Sequence, residues 1–176
     1  MGMKREINVL EQASQIMKGV SNGVLITTKA EDTVNSMTIS WGTFGIEWGK
    51  LIFTAFVRES RFTREMLEKN PEFTVNIPAG KFDKSIIGFC GSKSGRSVDK
   101  VRELGLTLVD GEKVSVPGIK ELPLTLECKV VYVQTQESDR LPKAMQEQYY
   151  PKNEDGKSDE HIVFCGEIVN GYVIEE

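Results

Sequence analysis

The chain is divided into short runs of β-branched and aromatic residues, and this division narrows the choice of folds more than any other feature. Such runs are typical of β-strands, and the Gly, Asp and Asn residues between them are typical of tight turns. The runs lie at residues 24–28, 34–41, 51–57, 73–77, 124–133 and 161–173. Closing a sheet into a barrel removes its exposed strand edges. The pattern therefore predicts a mainly β protein with short helices, whose strands form an antiparallel barrel.

Three short helices are predicted beside the strands. The N-terminal helix falls within residues 1–19, where apolar side chains share one helical face and a glycine would end the helix. A second helix begins at Ser60 and stops before Pro71, and a third covers residues 98–104. No repeat or second hydrophobic pattern divides the chain, so residues 1–176 are predicted to form one domain.

Charge and composition exclude several classes of protein. The chain has 22 Lys and Arg against 26 Asp and Glu, a net charge of -4, which disfavours nucleic acid and anionic membranes as partners. It shows neither a signal-like N-terminal segment nor an apolar run of bilayer length, from which we expect a cytoplasmic protein. Three dispersed cysteines and a single histidine disfavour a disulfide framework and a multi-histidine site, so no metal is predicted.

The first candidate binding motif stands at the start of the second predicted helix. Arg58 ends a strand, and Ser60, Arg61 and Thr63 follow it. A helix N-terminus offers free N–H groups and partial positive charge, and arginine can form paired hydrogen bonds with a phosphate. The motif indicates a grip for a monophosphate, although an ordinary serine cap beside solvated arginines explains the same residues.

The second candidate is a predicted strand rich in polar side chains. Asn35, Ser36 and Thr38 stand where a core strand normally alternates with aliphatic residues, and Met37 and Trp41 add apolar surface. Such a strand can present donors and acceptors to the heteroatom edge of a planar ring, as the pyrimidine edge of a flavin requires. An edge strand with its hydroxyls in water is the alternative.

A glycine-rich loop is the third candidate. Ser94, Gly95 and Arg96 lie in the run GSKSGR, and Lys100 follows near the start of a predicted helix. Positive charge beside flexible glycines suits an anion. The run lacks the pattern of a Walker P-loop and that of a dinucleotide fingerprint, and a flexible surface loop explains it equally well.

His161, the single histidine, begins the last predicted strand. It can lie over a bound ring as a proton donor or as a contact for a pyridine nucleotide, and a structural role is the alternative. A Ser-His-Asp hydrolase would depend wholly on this residue, which makes a hydrolase a distant possibility.

The ordered runs NSMTISW, RESRFT, GSKSGRSVDK, LECKVV and HIVFCGEI together resemble the flavin reductase-like family, and within it the flavoredoxin-like branch. The resemblance spans about residues 20–169. It implies an FMN-binding split β-barrel with Greek-key-like strand order. It also implies a homodimer with its flavin sites near the subunit interface.

The resemblance transfers to this chain residue by residue. The positions matched to the isoalloxazine are Asn35, Ser36, Met37 and Thr38, with Trp41 behind them. The positions matched to the phosphate are Ser60, Arg61 and Thr63, next to Arg58. The loop that closes near the cofactor corresponds to Ser94, Gly95, Arg96 and Lys100, and His161 matches a histidine often placed near the ring.

In function, the resemblance implies an oxidoreductase in which NADH or NADPH reduces FMN. Family members divide between reductases of free flavin and flavoredoxin-type carriers that keep FMN bound and are reduced by a redox protein partner. A flavin-binding module without turnover is a third possibility. Residues 134–160 form a longer and more polar insertion than a minimal member needs, and we expect it to cover or reshape the entry to the flavin.

Overall fold

The structure, a computed structural model, describes residues 3–175. Its strands are β1 (Lys4–Glu6), β2 (Val24–Ala30), β3 (Thr33–Ile39), β4 (Gly42–Glu47), β5 (Lys50–Arg58), β6 (Glu72–Ile77), β7 (Leu108–Val109), β8 (Gly118–Ile119), β9 (Leu124–Thr135) and β10 (His161–Ile174). Its helices are α1 (Ala13–Asn22), α2 (Phe62–Lys69), α3 (Ser85–Ser92), α4 (Lys100–Leu104) and α5 (Lys143–Tyr149). Short 3-10 turns at Leu10–Gln12 and Ser138–Arg140 come before α1 and α5.

Eight strands form one antiparallel sheet in the order β3-β2-β6-β9-β10-β5-β4, with β1 beside β10. The two end strands, β3 and β4, follow one another in the chain and are joined by Ser40 and Trp41. Met37 of β3 and Phe44 of β4 nevertheless pack against the same core. The sheet is therefore a barrel with a split between β3 and β4, which confirms the predicted fold class.

Alternation along the strands builds the core inside the barrel. Ile26 pairs with Val75 and Val75 with Leu126 across three neighbouring strands, and all three side chains are fully buried. Burying a side chain of this size contributes roughly 1.5–3 kcal/mol. Cys128 and Val130 continue the same face of β9, as the period of two in the sequence predicts.

A second apolar layer covers the outside of β2. It joins Leu25 to buried side chains of α3, of β8 and of the loops after α4 and β8, namely Ile86, Cys90, Ile119, Leu106 and Leu122. Val101 and Leu104 of α4 pack against this layer. Since α3 and α4 are anchored there, the loop between them is held beside β3. The sequence did not predict α3, because the run SIIGFCGS is apolar without a helical period.

The prediction of a helix within residues 1–19 was wrong at both ends. Residues 1 and 2 lie outside the described part of the chain. Lys4–Glu6 pairs with β10 as a strand, and α1 starts only at Ala13. The helix continues through Gly19, where an added Cβ would lie 2.5 Å from Ile77 Cγ2. Gly19 is thus a point of close helix–strand approach, and Gly23, with φ of 101°, ends the helix.

The insertion at residues 134–160 is structured rather than a simple polar loop. Its first two residues extend β9, and it then contains a 3-10 turn and α5. The stretch after α5 folds back on itself through a hydrogen bond of 2.8 Å from Asn153 N to Lys157 O.

Among the described residues, no helix combines the length and apolar composition that crossing a bilayer requires.

Candidate functional site

Strand β3 lies beside two adjoining cavities at the split in the barrel. The Asn35 side chain reaches the start of α2, where Nδ2 donates to Thr63 Oγ1 at 3.1 Å. Ser36 faces the opposite way, and its hydroxyl lies 2.8 Å from Thr27 Oγ1 in a buried network with Asn76. The polar residues of this strand therefore serve two purposes: one face lines the cavities, and the other binds the neighbouring strands together.

The smaller cavity, about 130 Å³, lies between β3, the start of α2 and the loop after α3, and we call it the cationic pocket. Its lining residues are Asn35, Met37, Ser60, Arg61, Phe62, Thr63, Lys93, Ser94, Gly95, Arg96 and Lys100. Within residues 3–175, the Arg61 guanidinium makes no hydrogen bond and no ion pair. The first N–H groups of α2 also lack intrahelical acceptors. The pocket therefore carries positive charge that the surrounding side chains do not neutralise.

Lys100 adds a buried ammonium group to this pocket. Its Nζ donates to Ser36 O at 2.9 Å and to Cys90 O at 3.0 Å, and the residue is only 4% exposed. Burial lowers the pKa of Lys100, and the positive charge of Arg61 lowers it further. No carboxylate of the described residues pairs with Nζ, and a buried cation without a counter-charge is unfavourable. An anion in the pocket would supply that counter-charge.

An unpaired acceptor marks the wall of the same pocket. Asn35 Oδ1 is buried and has no hydrogen-bond donor among the described residues. Gly95 packs directly against it, since an added Cβ would lie 2.1 Å from Oδ1 and 2.8 Å from Phe62 Cδ1. Only glycine lets the loop approach this closely, and the free oxygen is available to a hydroxyl donor of a ligand.

The larger neighbour, about 160 Å³, is the ring cleft. It is lined by Met37, Thr38, Ile39, Ser40, Trp41, Phe56, Arg58, Arg61 and His161. Met37 and Arg61 line both cavities, so the ring cleft and the cationic pocket are adjacent. A cation-lined pocket beside a cleft with aromatic walls suits a ligand with an anionic group at one end and a planar ring at the other.

His161 is held as a neutral ring at one wall of the ring cleft. Burial lowers its pKa from 6.5 to about 4, and the nearby charge of Arg58 acts in the same direction. The Tyr150 hydroxyl lies 3.1 Å from Gln136 Oε1 and 2.6 Å from His161 Nδ1. Either the hydroxyl or Nδ1–H is the donor in the contact with His161, and this choice decides whether Nε2 accepts or donates a hydrogen bond. The charged imidazolium forms only near pH 4, so at neutral pH the predicted role as a proton donor would need the neutral tautomer with its proton on Nε2.

Comparison with known proteins decides the family. Residues 17–176 match the family described as "Flavin reductase like domain".

The chain belongs to the flavin reductase-like family.

Individual relatives agree with this assignment. The flavin reductase-like chain is 34% identical over 97 residues to an uncharacterized protein from Archaeoglobus fulgidus, covering 55% of this chain and 54% of the relative. It is 32% identical over 111 residues to the protein YddH of Escherichia coli, covering 61% of this chain and 58% of the relative. The matches thus span little more than half the length of these curated relatives.

Solved structures share the fold. An FMN-binding domain of a flavin reductases-like enzyme from Shewanella baltica superposes with a TM-score of 0.68 at 16% identity, over 98% of this chain and 78% of that one. Flavoredoxin from Methanosarcina acetivorans gives a TM-score of 0.64 at 27% identity, over 87% of this chain and 68% of that one. Both likenesses agree with the split barrel found here.

In this flavin reductase-like chain, several residues predicted for the site already have protein partners. The Ser60 N–H and hydroxyl both donate to the Asp159 carboxylate, at 3.0 Å and 2.7 Å, so Ser60 does not cap α2. Arg58 donates to Asp159 O at 2.6 Å and to Tyr149 O at 2.8 Å. Arg96 donates to Ser60 O at 2.9 Å and pairs with Glu65. These three residues therefore hold loops around the site.

The remaining predicted residues either line one of the two cavities or hold the surrounding elements in place. Thr38 lines the ring cleft, but its hydroxyl donates to Ile87 O at 2.6 Å and so fixes α3 to β3. Ser94 lines the cationic pocket and accepts from Arg96 N at 3.3 Å, which shapes the loop. Trp41 stands at the far end of the ring cleft, 5.2 Å between ring centroids from His161.

Sequence reasoning missed three residues that shape the site: Phe56, Gln136 and Asp159. Phe56 has an ordinary strand context, and no local signal distinguishes it. Asp159 lies 99 positions from Ser60 in the chain, inside a polar stretch, so nothing local links the two. Tyr150 does carry a signal, because an aromatic pair before Pro151 predicts an anchor for the end of the long loop or a cover for a pocket.

A hydrolase gains no support from the structure. The run from Gly19 to Gly23 fits the GxSxG pattern of a nucleophile elbow, but its serine, Ser21, lies in α1 rather than in a strand-to-helix turn. Its hydroxyl donates to Lys18 O at 2.9 Å, within the same helix. The serine of that pattern therefore has the environment of an ordinary helical residue.

Proposed function

We propose that this flavin reductase-like protein binds FMN and transfers electrons through it, with NADH or NADPH as the electron donor. The observation that carries the proposal is that the cationic pocket lies next to the ring cleft, with Met37 and Arg61 lining both. FMN has the matching form, a phosphate joined to a planar ring system by a hydroxylated chain. Family membership and the FMN-binding relative from Shewanella baltica agree with this ligand.

The phosphate would lie in the cationic pocket. Arg61 and Lys100 supply positive charge there, and the first turn of α2 supplies N–H donors. The unpaired Asn35 Oδ1 suits a hydroxyl of the ribityl chain, which donates where the phosphate cannot.

The ring would lie in the cleft along β3. Because β3 is an end strand of the sheet, its outer N–H and C=O groups, apart from Ser36 O, which accepts from Lys100, are available to the polar edge of a flavin. Met37 offers apolar surface, and Trp41 and His161 form the far wall. When bound, FMN would supply the redox chemistry by accepting a hydride from the nicotinamide. The contribution of the chain is to position the ring and to stabilise the charge that reduction adds to its polar edge.

Anaerobic reduction tests the choice of electron donor. Stopped-flow mixing of the FMN-loaded protein with NADH, and separately with NADPH, should bleach the oxidised flavin absorbance within the time of a catalytic turnover. A flavin that stays oxidised with both nucleotides would contradict a reductase role while leaving FMN binding intact.

The second candidate function is an electron carrier of the flavoredoxin type. The likeness to flavoredoxin from Methanosarcina acetivorans favours it. In that case NAD(P)H leaves the flavin oxidised, and a reduced redox protein such as a ferredoxin bleaches it. Bleaching by neither would leave the third possibility, a flavin-binding module without turnover.

We also propose that the protein is a homodimer. Exposed apolar side chains concentrate near the β4–β5 turn and the end of β9: Ile46, Trp48, Val131, Tyr132 and Val133. The rings of Trp48 and Tyr132 lie 6.1 Å apart, so the two regions are adjacent. An exposed apolar area of this kind is typical of a protein–protein contact.

A further inference from the structure

A third cavity, larger than the ring cleft and the cationic pocket, lies next to the ring cleft. We call it the apolar chamber; its volume is about 530 Å³. It lies between α1, the start of β4 and the segment from Gln136 to Tyr150. Side chains from all three regions line it, among them Met17, Trp41, Phe56, Leu141, Met145 and Tyr149. The insertion at residues 134–160 therefore builds one side of a cavity.

The walls of the apolar chamber carry no charge. Every residue that lines it is uncharged at neutral pH, and burial raises the pKa of Tyr150 so that its phenol stays protonated. Aromatic rings offer stacking surfaces, and the thioethers of Met17 and Met145 adapt to ligands of different shape. The cavity is open to solvent on one side, since Met17, Trp41 and Met145 are about 40% exposed. A charged ligand would still lose part of its hydration against these walls without compensation, so the chamber favours an uncharged, planar compound.

The half-buried Gln136 side chain adds one polar group to the wall. Its Oε1 lies 3.1 Å from the Tyr150 hydroxyl, and within the described residues its NH₂ group has no protein acceptor, so water or a ligand can accept from it. A free amide donor beside aromatic walls matches the carbonyl oxygen of a ligand.

The apolar chamber and the ring cleft share a wall. Ser40, Trp41 and Phe56 line both cavities. Trp41 is fixed between them, 5.1 Å from the Tyr149 ring and 5.2 Å from the His161 ring. A ligand in the chamber would therefore lie within one side chain of a ring bound in the cleft.

We propose that the apolar chamber binds an uncharged, planar carbonyl compound of the quinone type, which serves as the electron acceptor. The acceptor role rests on the proposed function; binding itself does not. In the redox step two electrons pass from the reduced flavin to the quinone across the shared wall, because a hydride would need direct contact between the two rings. The quinone takes two protons from water to form the hydroquinone, and the flavin releases one proton and returns to its oxidised state. Gln136 donates to one quinone oxygen, and Trp41 packs against the ring.

Binding is tested by NMR titration of the full chain with duroquinone, which has no free ring position for thiols to attack. The chain has two tryptophans, and Trp48 lies outside the chamber, so its indole resonance is an internal control. We expect the Trp41 indole and Gln136 amide resonances to shift saturably while Trp48 stays in place. Equal, non-saturating shifts of both indoles would overturn the proposal.

Two pairs of comparisons assign the contacts. Met145→Asp puts a charge into the chamber wall and should weaken duroquinone binding about tenfold. Gln148→Asp makes the same change of charge on an exposed position of the same helix and should have no effect on duroquinone binding.

Gln136→Leu should weaken the binding of duroquinone several-fold and leave the binding of durene, the same ring without carbonyls, unaffected. Equal behaviour of the two variants at 145 and 148, or of the two ligands, would overturn the proposal.

Repeating the titration with FMN separates the possible failures. Duroquinone should bind with similar affinity with and without saturating FMN; if FMN abolishes binding, the chamber belongs to the flavin site and the proposal fails. Displacement of duroquinone by NADH would assign the chamber to the nicotinamide and would also overturn it. If duroquinone binds but FMN does not, the proposed function fails while the chamber stands.

Discussion

Arg61 is the residue on which the phosphate grip depends most. Its neighbours Arg58, Arg64 and Arg96 are engaged with loop carbonyls or carboxylates, whereas the Arg61 guanidinium is free among residues 3–175. The charge that Arg61 brings to the cationic pocket is thus available to a ligand rather than to the fold.

Replacing Arg61 by alanine should weaken FMN far more than riboflavin, because only FMN carries the phosphate. Loss of a charge-assisted hydrogen bond corresponds to about ten- to a hundredfold in FMN affinity. Flavin fluorescence quenching measures both ligands. Arg64→Ala, which removes a guanidinium paired with Glu68, is the matched control and should change neither affinity. Equal losses for FMN and riboflavin in Arg61→Ala would place the phosphate elsewhere.

The depressed pKa of His161 makes stability depend on pH. The folded-state pKa is about 4, below the value of 6.5 expected when unfolded, so the unfolded chain binds the proton more tightly. Above pH 6.5 the ring is neutral in both states, so it does not lower the free energy of unfolding. As the pH drops from about 6.5 toward 4, the free energy of unfolding falls by about 3 kcal/mol in all. Urea unfolding of the wild type and of His161→Gln at pH 7 and pH 4.5 measures the difference. An identical pH dependence in the two proteins would show that His161 is not the group responsible.

At the scale of elements, the segment after β9 is held over the site mainly by polar contacts, and among the described residues Tyr150 is its one buried aromatic side chain. Ser60 and Arg58 bind the Asp159 region, and Glu160 accepts from Ser138 and Ser158, with the hydroxyl contacts at 2.5 Å and 2.6 Å. Helix α5 contains no buried residue. We therefore expect this segment to open before the barrel does.

Asp159→Asn should loosen the segment without unfolding the protein. Removing the charge from the acceptor of the two Ser60 hydrogen bonds should speed hydrogen exchange of the α5 amides by about tenfold, with β9 and β10 unchanged. Asp155→Asn, the same substitution in an exposed part of the same loop, is the control. If both variants exchange alike, the contact with Ser60 does not hold the segment.

The elements that the sequence predicted are those with a local signal. Strands β2, β3, β5, β6, β9 and β10 follow from β-branched runs, and α4 ends at Gly105 as its pattern indicates. Strand β4 was missed because Gly42 and Gly45 interrupt its apolar residues. The partners of Ser36 and Ser60 could not be predicted, since hydrogen bonds to Thr27 and Asp159 depend on register and loop closure rather than on neighbouring residues.

For the whole molecule, the position of the site follows from strand order. Because β3 and β4 are consecutive in the chain yet stand at opposite ends of the sheet, the barrel stays open where they meet. The ring cleft lies at this opening, and α2 and the glycine-rich loop close one end of it as the cationic pocket.

The proposed dimer can be tested at the same scale. If the exposed aromatic area around Trp48 forms the subunit contact, the wild type should sediment as a dimer and Trp48→Asp as a monomer. Leu108→Asp introduces the same charge at another exposed apolar position, on β7, and should remain dimeric. A wild type that sediments as a monomer at all concentrations would contradict the proposal.

Titration of the flavin-stripped protein with FMN tests the central claim most directly. Flavin fluorescence and the visible spectrum should change saturably, with an end point near one FMN per chain. That result would establish the cationic pocket and the ring cleft as a flavin site. Flavin signals that never saturate, with FMN remaining free in solution, would contradict the account and leave Arg61, Lys100 and Asn35 Oδ1 without the ligand proposed for them.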